Sequence, residues 1–441
     1  MKLNHYSGKK GFAGLHRNVH IFFIMMMGVA LLTLAACSTV SVRNQAAMSL
    51  PKIPSTGTGI QVSPPTGRDG EIPAVGQESF PMLKPADWER MPAWRKDRLV
   101  EAWPAWIQSC RALGEKPLWK NVCARAANVD GKSEEAIRDY FQSNFSPYEV
   151  IDPKSGGEGL VTGYYEPIIR GDRNKTARAR YPIYSLPPDL VSVELSSLYP
   201  ELRFMRLRGR LVGNKLKPYY TREEIGNSAS GFSGAPIAWA EDPVDLFFLQ
   251  IQGSGQVEFP DGERFRIGYA DQNGHPFRSV AKMLIELGEL KQNGASMQAV
   301  RKWGRDNPSK IDDLLNRNPS YVFFREVPDG LSGPLGALGV PLTGGRSIAV
   351  DPRHIPLGAP LFLATFWPLS DKPLNRLMLA QDTGGAIRGA VRADFYWGCG
   401  VAAGELAGRM KQKGRAWVLM PCEYGMEKKG NEMLSQGGMS R

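Results

Sequence analysis

A mainly β fold with some α, centred on a small closed barrel, is the architecture that the 441-residue sequence predicts. Three features of the patterning carry that prediction. Helical periodicity is concentrated between Asp87 and Phe145 and returns only in two segments between 280 and 315. Beyond Glu149 the texture changes to short runs of β-branched and aromatic residues, punctuated by Gly and Pro. From Tyr321 onward such runs follow one another without regular helices between them, which suits a closed barrel better than a parallel sheet with helical crossovers.

In chain order, Lys2, Lys9, Lys10 and Arg17 precede the apolar run IFFIMMMGVALLT, which ends in Leu34-Ala35-Ala36-Cys37. The run is short for a membrane span, and small residues just before a cysteine form a lipobox, so residues 1–36 read as a signal peptide. Cleavage makes Cys37 the lipidated first residue. Ser38 follows it rather than Asp, which by resemblance to bacterial lipoproteins favours the outer membrane over the inner, facing the periplasm. Residues 37–79, rich in Pro, Gly, Ser and Thr, read as a flexible linker between lipid and domain. Helical patterns follow in DWERMPAWRKDRLVEAWPAWIQSCRAL and in SEEAIRDYFQSNF, where Ser133 is placed to cap. Strand-like runs then appear in GLVTGYYEPIIRG, YPIYSL and DLFFLQIQGSGQVEFPDGERFRIGYA, the last with a hairpin signal at Pro260-Asp261-Gly262. Helices are expected over Val280–Leu290 and Met297–Leu315. VFFRE, RSIAVD, APLFLATF, LNRLMLAQD, AIRGAVRADFYWG and AWVLMP supply the remaining strands, with the stretch from Ala380 to Gly389 opening a hairpin. The polar tail 426–441 reads as disordered.

Hydrophobic residues at 42% and charged residues at 22% describe a globular chain with a sizeable core. The formal charge of +11 suits an anionic lipid, an acidic polymer or simply a diffusely basic solvated surface, and export from the cytoplasm argues against nucleic acid. Four of the five cysteines remain after Cys37; in an oxidising compartment local pairing is expected for Cys110 with Cys123 and for Cys399 with Cys422, buried free thiols being the alternative. There is no CxxC or HExxH, and three of the five histidines leave with the leader, so neither a metal nor a cofactor is expected.

Asp382-Thr383-Gly384 has the form of an aspartic protease loop, but that chemistry needs two such carboxylates and the chain has one such triplet. A wider window holds three aspartates, Asp351 and Asp382 at strand ends and Asp394 inside VRADFYWG. Any one alone reads as a turn residue satisfying backbone amides. Asp394 differs, because Ala393, Phe395, Tyr396 and Trp397 surround it. Partial desolvation and neighbouring carboxylates raise the pKa of such a group into the range suited to a general acid.

At this point a family resemblance becomes specific. GYYEP (Gly163 to Pro167), YYTREEI (Tyr219 to Ile225), EDPVDLFFLQIQGSG (Glu241 to Gly255), GYADQNGHPFRS (Gly268 to Ser279), GVPLTGGRSIAVDPRHIPLGAPLFL (Gly339 to Leu363) and QDTGGAIRGAVRADFYWG (Gln381 to Gly398) resemble the membrane-bound lytic murein transglycosylase A family, with its C-terminal three-aspartate domain. The resemblance implies a double-psi β-barrel, here residues 80–166 and 325–425, around a smaller inserted β domain, 167–324, with a glycan groove between them. It implies non-hydrolytic cleavage of the β-1,4 bond between N-acetylmuramic acid and N-acetylglucosamine, leaving a 1,6-anhydro end. Asp394 matches the catalytic acid, with Asp351 and Asp382 completing the set. Ordinary glycosidases need two carboxylates; here the sugar's own C6 hydroxyl replaces water, so one can suffice. Thr162, Tyr164, Tyr165 and Glu166 are then candidate sugar contacts. Gln250, Gln252 and Ser254 alternate as on a groove-lining strand, buried hydrogen-bonding glutamines being the alternative, and Gly384 and Gly385 either let backbone approach a ligand or simply turn. His275 reads as structural. Peptidoglycan strands are the expected partner, with cell-wall synthesis proteins as further possible ones. A non-catalytic glycan-binding lipoprotein is the competing reading.

Overall fold

The computed structural model describes residues 80–425 except 81, 154–155, 203–204 and 295. The leader, the lipidation of Cys37, the linker 37–79 and the tail 426–441 lie outside the described residues. The fold is mixed α/β and rich in sheet.

The first part holds strand β1 (Leu83–Pro85), helices α1 (Trp103–Leu113), α2 (Pro117–Ala126) and α3 (Glu134–Asn144), and strands β2 (Phe145–Val150) and β3 (Gly159–Glu166). The expected helix across 87–101 is instead three short 3-10 turns. Pro92 forces Met91 out of helical geometry (ψ 108°), and α1 begins only where Pro104 occupies its first turn. Ser133 caps α3, its hydroxyl accepting from the Ala136 amide at 3.1 Å. Ile137, Tyr140 and Phe141 form one stripe of α3 and pack on Trp103 and Trp106. Cys110 of α1 is disulfide-bonded to Cys123 of α2. The second expected pair does not form. Cys399 ends a strand, exposed beside Gln256, while the thiol of Cys422 meets the Ser146 hydroxyl, and both are free.

Next come β4 (Ile168–Asp172), β5 (Tyr181–Tyr184), β6 (Val191–Ser192), β7 (Arg208–Val212), β8 (Lys215–Pro218), α4 (Arg222–Gly226), β9 (Pro236–Ala240), α5 (Pro243–Gln252), β10 (Ser254–Glu258), β11 (Arg264–Gln272), α6 (Val280–Glu286), α7 (Met297–Asp306), α8 (Ile311–Asn316) and β12 (Val322–Glu326). Helix α5 corrects the strand expected through Gln252. Asp242 accepts from the amides of Val244 and Asp245, Pro243 opens the helix, and Gly253 at φ 79° closes it. Leu246 and Leu249 pack under the sheet while Val244 and Phe247 pack against α7 and α8, so α5 is apolar on two sides and shows no one-sided stripe. The Pro260-Asp261-Gly262 turn joins β10 to β11 as an antiparallel hairpin, with Gly262 at φ 86°.

The last part holds β13 (Ser347–Val350), β14 (Pro360–Phe366), β15 (Pro373–Asp382), β16 (Arg392–Cys399), α9 (Gly400–Arg409) and β17 (Lys411–Pro421). Eight strands pair in the order β1-β2-β17-β14-β15-β13-β16-β3, and β17 also pairs with β3, so the pairing returns on itself through six strands. A six-stranded sheet, β12-β11-β10-β4-β9-β5, and a three-stranded one, β6-β7-β8, follow separately. The hairpin expected around Asp382 is not present. Strands β15 and β16 are not neighbours; they flank β13, parallel and antiparallel to it respectively, so segment 383–391 passes its end. Trp106, Phe141, Phe145, Phe362, Phe395 and Trp417 are fully buried in one core that joins α1 and α3 to these strands. Arg346 adds a buried ion pair there, bidentate to Asp97 at 3.0 Å.

Candidate active site

Alternation along β16 sends Ala393 and Phe395 into the core and leaves Arg392, Asp394 and Tyr396 on the opposite face. Strand β3 runs parallel beside it, with Thr162 opposite Asp394 and Tyr164 opposite Tyr396. The Thr162 hydroxyl donates to Asp394 Oδ1 at 2.5 Å and accepts from the Arg392 guanidinium at 2.9 Å. On the other side of β13, Asp382 ends β15. Ala349 of β13 is the register partner of both Asp394 and Asp382, so a single small residue lies between the two aspartates. That places their backbones two strand spacings apart, about 10 Å. The Tyr164 hydroxyl donates to Asp382 Oδ2 at 2.9 Å, and its ring centroid lies 5.2 Å from that of Tyr396.

The three aspartates have different electrostatics. Burial pushes Asp394 up from 3.8 to about 6; the Thr162 hydrogen bond and Arg392 oppose the rise, and Asp382 adds to it. Burial also raises Asp382, against the pull of the Ala337 and Thr383 amides and the Tyr164 hydroxyl. Burial acts upward on Asp351 as well, but Arg353 and the Gly389 amide outweigh it and hold the carboxyl at about 2. Asp351 is wholly inaccessible, its oxygens taken by the Arg353 guanidinium and by Gly389 N–H at 2.8 Å. It anchors the end of the 383–391 segment and carries no exposed oxygen. Gly389 sits there at φ 115°, a conformation that favours glycine.

A cleft of about 940 Å³ opens at Asp382. Asp382, Thr383, Gly384 and Gly385 line it together with Arg206, Gln250, Gln252, Ser254, Tyr269 and Phe277. Asp394 lies behind Asp382 across β13 and is partly buried. The predicted sugar contacts therefore divide. Thr162 and Tyr164 bond the two aspartates. Tyr165 points to the opposite face, its hydroxyl meeting Met297 Sδ and its ring packing on Ala403 and Ala407. Glu166 is buried, paired with Arg266 at 2.8 Å and bonded by Gln256. Neither is free to meet a sugar, because strand alternation turns Tyr165 away and Arg266 retains Glu166. Gln250 and Gln252 do not alternate on a strand; they are two residues apart on α5, and their oxygens accept from Arg222 at 2.6 Å and from Tyr165 N–H at 3.0 Å. His275 Nε2 lies 2.8 Å from the Tyr219 carbonyl. Arg392, Ala349 and Arg206 escaped sequence reasoning. Arg392 alone had a signal, two residues before Asp394 on the same strand face.

The chain is similar to known proteins in both sequence and fold. Residues 160–325 match the MltA specific insert domain and residues 346–420 match the 3D domain. The chain is 36% identical over 292 residues to the membrane-bound lytic murein transglycosylase A of Escherichia coli K12, covering 64% of this chain and 71% of that protein. It is also similar to the crystal structure of MltA from Neisseria gonorrhoeae, at 40% identity and a TM-score of 0.69, covering 77% of this chain and 92% of that one. The crystal structure of E. coli MltA with bound chitohexaose aligns at 31% identity and a TM-score of 0.59, covering 74% and 90%.

Proposed function

The chain belongs to the membrane-bound lytic murein transglycosylase A family, and from that premise we propose that it cleaves peptidoglycan strands without water, with Asp394 as its single acid and base. The observation that carries the proposal is a partly buried carboxyl raised to about 6, hydrogen-bonded by Thr162 and separated by one strand from Asp382, which lines the cleft. At that pKa a fraction of order one tenth is protonated at pH 7, enough to donate, and the conjugate base is strong enough to accept.

Asp394 protonates the oxygen of the β-1,4 bond between N-acetylmuramic acid and N-acetylglucosamine. The C1–oxygen bond breaks, and positive charge develops on the muramic ring. Asp394, now a carboxylate, takes the proton of that ring's C6 hydroxyl as its oxygen attacks C1, closing a 1,6-anhydro ring. The nucleophile is tethered two bonds outside the ring, so its effective concentration is high and no bound water is needed. Asp382, opening on the cleft, orients sugar hydroxyls and stabilises the developing charge, while Thr162 and Arg392 hold Asp394 in place. Asp351 acts through the 383–391 segment that it anchors.

The ring of pairing among β17, β14, β15, β13, β16 and β3, with β13 threaded between β15 and β16, supports reading these strands as the double-psi barrel and 167–324 as the inserted domain. A lipid on Cys37 then holds the enzyme at the outer membrane, facing the periplasm and its murein, where cell-wall synthesis proteins are further partners. No helix among the described residues is long and apolar enough to cross a membrane. Asp394→Asn tests the assignment: it abolishes release of soluble fragments from purified sacculi while sedimentation with sacculi persists. Release by Asp394→Asn at the wild-type rate would remove Asp394 from the role.

A further inference from the structure

The cleft contains a cation that a neutral glycan does not require. Arg206 lines the same cleft as Asp382, partly buried, its guanidinium carbon 5.8 Å from the Tyr269 ring centroid. Nearby Arg208 is paired with Asp271 at 2.7 Å, whereas Arg206 has no ion pair among the described residues. Its field reaches Asp382 and opposes the rise that burial imposes there. Asp382 does not need it as a partner: its Oδ1 accepts from the Ala337 and Thr383 amides and its Oδ2 from the Tyr164 hydroxyl, which leaves Oδ2 room for one further donor such as a sugar hydroxyl. Arg206 and Asp382 line the same cleft, and Asp382 shares the register partner Ala349 with Asp394.

Both sugars of the strand are uncharged except at one place. Muramic acid carries a lactyl ether on C3, a free carboxylate on peptide-free strands and the attachment point of an acidic stem peptide in the wall. The ring that loses its C1–oxygen bond at Asp394 is the muramic one, and C3 lies two bonds from C1. A guanidinium offers two parallel N–H donors that match a carboxylate, and the tyrosine face beside it restricts its orientation.

We propose that Arg206 binds the lactyl carboxylate of the muramic acid being cleaved on peptide-free strands, and that this contact distinguishes such strands from neutral N-acetylglucosamine polymers. The inference rests on the assignment of this cleft and Asp394 to glycan cleavage. It makes Arg206 a specificity residue whose contribution appears only with an acidic ligand.

The test measures binding by titration calorimetry of two probes, peptide-free muramic-acid-containing strands and chitohexaose, to the uncleaving Asp394→Asn protein with and without Arg206→Gln. The expected result is that Arg206→Gln lowers the ratio of muramic-strand to chitohexaose affinity about tenfold, the size of one lost hydrogen bond to a charged group in a half-open site. Arg206→Lys, which keeps the charge but not the fork, recovers part of that ratio, and a thermal melt of each variant identifies a folding defect. An unchanged ratio in folded Arg206→Gln overturns the inference. If the parent Asp394→Asn protein binds neither probe, the glycan-site reading itself fails, a distinct result that removes the inference with it.

Discussion

Replacing Asp394 with Asn is expected to stabilise the protein while removing the catalysis proposed for that residue, and the gain depends on pH. Asn keeps an oxygen for the Thr162 hydroxyl to reach but has no charge to desolvate. In the native protein burial raises the carboxyl from 3.8 to about 6. Below about pH 4 it is protonated in folded and unfolded chains alike, and its ionisation costs nothing. Between about pH 4 and 6 the unfolded chain releases its proton while the folded one retains it, so the cost of burying the charge grows; above pH 6 it is complete. A shift of about two units at ~1.4 kcal/mol each sets a ceiling near 3 kcal/mol, which partial exposure reduces toward about 2 kcal/mol. With an unfolding entropy of about 2.1 cal/mol/K per residue over about 340 residues, that corresponds to a rise of about 3 °C in Tm. Calorimetric melts of both proteins at about pH 4 and pH 8 check it. Coincident midpoints at the lower pH and the separation at the higher one are expected; an offset equal at both, or a less stable variant at pH 8, would refute the electrostatic reasoning.

Thr162→Val removes a hydrogen bond that holds the Asp394 pKa down, so the alkaline limb of the pH–rate profile moves upward by about half a unit to one unit. A limb that moves downward or stays in place contradicts the role given to that hydroxyl. Arg353→Ala leaves Asp351 buried without its cation and costs about 2 kcal/mol, discounted because Arg353 is partly exposed. Since Asp351 sits at about 2, below the ordinary 3.8, the stabilisation it contributes is present above about pH 4 and lost as pH falls toward 2. Urea unfolding at pH 7 measures the loss, and an unchanged midpoint speaks against the anchoring role.

How far the sequence could be read depended on which signals are local. Alternation in RSIAVD and VRADFYWG exposed the strands that carry the aspartates, and the aromatic setting of Asp394 foretold its desolvation. Long-range pairing left no such trace. Nothing near Asp382 says that β13 passes between β15 and β16, so the turn-rich DTGGAIRG read as a hairpin. Helix α5 was hidden because packing on two sides erases helical periodicity, although Asp242-Pro243 and Gly253 are ordinary helix ends. Asp351 read like Asp382, an aspartate at a strand end, because sequence does not show that Arg353 takes its oxygens, and Glu166 read as a sugar contact because its partner Arg266 lies 100 residues away in the chain.

The central claim is that one carboxyl cleaves the strand without water. Mass spectrometry of the muropeptides released from purified sacculi tests it most directly, because an anhydro end is lighter than a hydrolysed end by one water molecule. Cleavage by a single carboxyl yields 1,6-anhydro-muramic ends from the native protein and no fragments from Asp394→Asn; reducing ends in place of anhydro ends would mean that water is the nucleophile.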